Sequence, residues 1–70
     1  MLLSECKKGI YTIKEFACNK KLQDRFEVMG LYEGCDVEVI SNEKYFPLQI
    51  KIKGANISIG RGMCDKVIVR

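Results

Sequence analysis

The chain has 70 residues, 47% of them apolar and 30% charged, with a net charge of +3 at neutral pH. A single domain of this size buries only about 60% of the surface its unfolded chain exposes, which allows one small core but not a core and a deep substrate cleft as well. Its twelve basic and nine acidic residues are interspersed, so Lys7-Lys8, Lys20-Lys21 and Lys51/Lys53 read as solvated surface rather than the dense basic stripe of a nucleic-acid binder.

Residues 1–8 form a lead-in that Leu2 and Leu3 pin to the body. Gly9 then opens a strand from Ile10 to Cys18, rich in β-branched and aromatic residues. Its alternation breaks. Tyr11 and Ile13 share one parity while Ile10, Phe16 and Cys18 share the other, as a bulge or a strong bend requires. Asn19 suits a helix N-cap, because its side-chain oxygen can accept from a free N–H of the first turn. A helix is predicted over 20–29, with Leu22, Phe26 and Met29 at i, i+4 and i+7 forming one apolar stripe. Gly30 falls where a left-handed C′ residue is wanted, and Gly34 marks the turn into the next strand.

The second strand, Cys35–Ile40, puts Cys35, Val37 and Val39 on one face, the pattern of a sheet with one wet side. Ser41 to Pro47 is the longest irregular stretch, and Pro47, which cannot donate to a ladder, marks an edge or a strand start. Leu48–Lys53 alternates strictly. Gly54-Ala55-Asn56 reads as a tight turn, and Ile57–Ile59 completes a hairpin. Arg61 to Cys64 reads as a single turn, and Lys66–Arg70 as a fifth strand. The expected fold class is all-β: a small five-stranded antiparallel barrel whose closure removes aggregation-prone edges. The short helix between strands one and two is expected to plug one mouth, with Leu22, Phe26 and Met29 inward.

The catalytic inventory is poor. There is no histidine, so the usual base near neutral pH is missing. The three serines stand without a base partner. Asp24 and Glu27 belong to a solvated helix face. Glu33, Asp36 and Glu38 do not follow an EF-hand spacing, and Gly60-Arg61-Gly62 leads into no long helix, as a phosphate loop would. We therefore expect no enzymatic activity, no catalytic residue and no cofactor.

No stretch approaches the ~20 apolar residues of a membrane span. The first residues lack the order of a secretory signal, so a cytoplasmic protein without membrane insertion is expected. Cys6, Cys18, Cys35 and Cys64 allow three disulfide pairings, but should stay reduced in the cytosol. No two are spaced as C-x-x-C, which removes the common zinc signatures. Cys35 reads as a small core residue and no metal ligands are assigned. A metal-binding or metal-sensing protein using scattered thiolates and carboxylates stands as the alternative function. The better candidates are apolar loop residues: Leu31 and Tyr32 after the helix, and Tyr45 and Phe46 beside Pro47. Such residues anchor protein contacts, though Leu31 and Phe46 can equally serve as lids over the barrel ends.

The residues also carry a resemblance. Gly9 with Ile13 comes first, then Leu22-x-x-Arg25-Phe26-x-x-Met29-Gly30-Leu31 and Gly34-x-x-Val37-x-Val39. Pro47-Leu48-x-Ile50-x-Ile52-x-Gly54, Ile57-x-Ile59-x-Arg61 and Val67-Ile68-Val69 follow. Their order and spacing over nearly the whole chain resemble the FeoA family of bacterial ferrous iron transport. Phe26 stands where that family usually has leucine, and the Gly-Asp that often precedes the proline is missing. The resemblance implies an SH3-like barrel with an inserted helix, in a cytosolic accessory subunit without established enzymatic activity. The implied partner is the cytosolic region of FeoB, a membrane iron transporter with a nucleotide-binding domain. Weak pairing with a second copy is the only other partnership expected, with no nucleic acid.

Overall fold

The computed structural model describes residues 1–70. A 3-10 turn at Leu3–Glu5 is followed by strand β1 (Gly9–Phe16), helix α1 (Lys20–Val28) and strand β2 (Asp36–Ser41). Then come β3 (Leu48–Ile52), β4 (Ala55–Ile59), the one-turn helix α2 (Arg61–Cys64) and β5 (Val67–Val69). The five strands form one antiparallel sheet in the order β4-β3-β2-β1-β5. The alternation predicts the five antiparallel strands, and their SH3-like arrangement is the one the family resemblance implies. No ladder joins β4 to β5; the chain crosses between them through α2. The far side of β5 is covered by the first residues, since Leu2 bridges Ile68 and the Val69 N–H donates to the Met1 carbonyl.

The period-two pattern decides what is buried. Val37 and Val39 of β2, Leu48, Ile50 and Ile52 of β3, Ile59 of β4, and Val67 and Val69 of β5 all enter one core. Leu3, Cys6, Ile13, Phe26, Leu31 and Cys64 complete it, and no polar residue is buried with them.

β1 serves two ladders. Gly9 to Thr12 pair with β2, and Ile13 to Phe16 pair with β5. Between them the register slips: Ile13 faces Val69 but Glu15 faces Ile68, a bulge at Lys14. The extra residue reverses parity, so Ile13 and Phe16 both turn toward the core while Ile10 lies exposed on the outer face.

α1 begins where Asn19 accepts from the Leu22 N–H at 3.0 Å. It ends at Val28, with Met29 as C-cap and Gly30 at φ +94°. Phe26 is fully buried and stacks on Phe16 of β1 with ring centroids 5.0 Å apart. Leu22 and Met29 flank it, half-buried against the core.

The β3–β4 turn sits one residue earlier than the sequence suggests. Ile52 pairs with Ala55, so the loop is Lys53-Gly54, with φ of +48° and +84°. Two positive values in a two-residue loop define a type I′ turn, whose twist matches that of the flanking strands. Gly54 enters that region freely, and Lys53 accepts the cost because the hairpin register demands it. Gly34, the third expected turn glycine, also has a positive φ, +88°. No helix is long and apolar enough to cross a membrane.

Candidate functional site

The stretch between β2 and β3 carries no helix or strand and is tied to the lead-in and to α2 by side-chain hydrogen bonds. Asn42 follows β2 and donates through Nδ2 to two carbonyls of the lead-in, Cys6 at 2.7 Å and Ser4 at 3.0 Å. Its Oδ1 accepts from Nη2 of Arg61 at 2.7 Å. The same guanidinium donates through Nη1 to the Phe46 carbonyl at 2.9 Å and the Glu43 carbonyl at 3.4 Å, and through Nη2 to the Ser4 carbonyl at 3.3 Å. One planar group thus spans acceptors from the lead-in and the loop.

Arg61 holds all this without a carboxylate. Its i+4 neighbour Asp65 accepts from the Ser4 hydroxyl at 2.6 Å. The one ion pair within 4.0 Å joins Lys20 to Asp24 on the exposed side of α1, and at that exposure it contributes little.

What the clamp holds is a β-turn. The Phe46 N–H donates to the Glu43 carbonyl at 3.1 Å, and Tyr45 takes φ +73°. A positive φ at the third turn position is the type II pattern, which favours glycine there. An L-residue in that region costs on the order of 1 kcal/mol. Tyr45 recovers nothing by burial: it is 84% exposed, with the Lys44 ammonium 5.2 Å from its ring centroid. Phe46 beside it is 61% exposed. A strained aromatic next to an exposed phenylalanine, both on a clamped loop, is an arrangement the core does not require.

The other loop residues separate. Leu31 is fully buried, which corrects its reading as an exposed contact residue. The cause is the helix end. Leu31 N–H donates to the Phe26 carbonyl and Gly30 N–H to the Glu27 carbonyl, a Schellman motif in which the residue after the glycine packs back on the helix. That signal was available in Gly30 itself. Tyr32 is 47% exposed, with its N–H on Cys35 Sγ at 3.3 Å and the Lys53 ammonium 5.9 Å from its ring. It lies at the β3–β4 turn end of the sheet. The six-residue β2 runs from that end to the Tyr45 end, a span of about 17 Å at ~3.3 Å per residue. The four expected contact residues therefore do not form one patch: Tyr45 and Phe46 sit together, Tyr32 sits at the other end, and Leu31 is inside. The sequence reading missed Asn42 and Arg61 as the supports, because their bonds cross up to 57 positions of sequence.

The cysteines are free thiols. Cys6 and Cys64 are buried, and burial is the main cause that raises both pKa values, that of Cys64 to about 11. Both therefore stay protonated near neutral pH. Cys18 and Cys35 are half-buried against the core edge. No three histidine, cysteine, aspartate or glutamate side chains come together as a metal-holding group.

A FeoA domain model matches residues 1–70. Among solved structures, the chain resembles a crystal structure of an iron uptake regulatory protein (FeoA), with 25% identity and a TM-score of 0.94 over all of this chain and 95% of that one. It also resembles the solution structure of iron(II) transport protein A from Clostridium thermocellum, with 25% identity and a TM-score of 0.90, covering all of this chain and 44% of that one. ScaR with bound Zn2+ shares the fold at 21% identity and a TM-score of 0.92, this chain matching 36% of its length. No curated protein sequence matches significantly.

Proposed function

The chain belongs to the FeoA family, and on that footing we propose that it is a cytosolic regulatory subunit of a ferrous iron transport system. It acts by docking on the cytosolic region of the membrane transporter FeoB and turns over no substrate of its own. The observation that carries this reading is the clamped Asn42–Pro47 loop, which exposes Tyr45 and Phe46 at a cost in backbone strain. Strain retained where the core gains nothing is a mark of a functional position. Exposed aromatics are the side chains that most often dominate protein contacts.

The test is a titration of the purified protein against the soluble cytosolic region of the transporter. Tyr45→Gly relieves the positive-φ strain, so its stability should equal or exceed that of wild type. Together with Phe46→Ala it should weaken binding by about tenfold or more, the effect of removing a central aromatic anchor. Unchanged affinity in the double variant rules this loop out as the contact. Absence of association by wild type at high micromolar concentration, with iron uptake unaffected by deletion, rules out the docking role.

A further inference from the structure

We propose that Arg61 is the positioning residue of the docking loop: its guanidinium, held to the Glu43 and Phe46 carbonyls and to Asn42 and Ser4, keeps Tyr45 and Phe46 in the presented conformation. The consequence for docking rests on the function proposed above; the consequence for loop order does not.

Three observations carry it. Arg61 reaches four acceptors, two of which are backbone carbonyls at the two ends of the Glu43–Phe46 turn. A group that bonds both ends of a turn fixes its span. The turn also contains the unfavourable Tyr45 conformation, which persists only where surrounding bonds over-determine it. Finally, no carboxylate lies within ion-pair distance of Arg61, so its charge-assisted bonds go to neutral oxygens alone. These are stronger than neutral–neutral bonds. Asn42 completes the device, donating to the lead-in with its amide nitrogen while offering its oxygen to Arg61.

The shape of the group matters more than its charge. Lysine keeps the charge, but presents three donors from one nitrogen and cannot match a planar fork spread over four acceptors. Arg61→Lys is therefore the informative variant. Arg61 is only partly buried and lies outside the apolar core, so the lysine variant should fold.

The experiment has two arms. In the first, amide hydrogen exchange is followed in wild type and Arg61→Lys. The Phe46 amide, which donates across the turn, should exchange about tenfold faster or more in the variant, as expected for losing one or two charged hydrogen bonds. Amides of β2 and β3 should stay protected. Equal exchange at Phe46 in the two proteins overturns the proposal, as does a uniform rise over all strands, which marks global destabilisation instead. In the second arm, binding to the transporter's cytosolic region is measured for wild type, Arg61→Lys and Ile57→Val. The last is a mild core-edge change in β4 that serves as a control for lowered stability. The lysine variant should lose about tenfold in affinity while the valine variant keeps it. Full affinity in Arg61→Lys overturns the docking consequence. If wild type itself does not bind, the docking function fails, and the exchange arm still decides the role of Arg61.

Discussion

Cys64 donates its thiol to the Ile59 carbonyl at 3.6 Å with none of its surface exposed, and its ionisation links stability to pH. Burial raises its pKa to about 11, whereas an unfolded cysteine ionises near 8.5. Between those values the unfolded chain has released a proton that the folded chain still holds. Stability is therefore fully present below about pH 8.5 and falls as pH rises toward 11, by roughly 3 kcal/mol. Cys6 adds to the fall in the same direction. In Cys64→Val the denaturation midpoint should depend less steeply on pH over this window, and identical slopes would refute the linkage. Tyr45 shows the opposite economy at the same scale, since a residue that costs stability is kept on the surface.

At the scale of elements, α1 is the best test of what local pattern dictates. Asn19, the Leu22-Phe26-Met29 stripe and Gly30 announce a helix with both ends marked, and the structure agrees to within one residue. The stripe does not say which member bears the load. Phe26 does, through its stack on Phe16, while Leu22 and Met29 only flank it. Phe26→Ala should cost about 3–5 kcal/mol in urea unfolding, and Val28→Ala, 89% exposed, under about 0.5 kcal/mol. Comparable losses would mean that α1 is not anchored through this ring. The strands were equally legible, because Val37, Val39, Leu48, Ile50 and Ile52 repeat every second residue. What was not legible depended on partners far along the chain. The β3–β4 turn moved onto Lys53 because strand register overrode that residue's preference. Leu31 went inside because the helix end folds it back on Phe26. The Arg61 clamp was hidden because its acceptors lie 15 to 57 positions away in sequence, and only the fold brings them together.

For the whole molecule, the relevant fact is that its two aromatic surfaces lie at opposite ends of β2. Substitutions this far apart, without shared partners, combine additively to within about 0.5 kcal/mol. A double-mutant cycle of Tyr32→Ala with Tyr45→Gly, read in transporter affinity and in stability, should show no coupling beyond that. A larger coupling energy would mean that the two ends communicate. One strand does join both halves of the sheet. β1 leaves β2 at Thr12 and takes up β5 at Ile13, and the bulge at Lys14 sets the phase of everything beyond it. A spine shared in this way leaves neither half able to stand alone, so melting should be all-or-none, with every probe of the sheet lost at a single temperature.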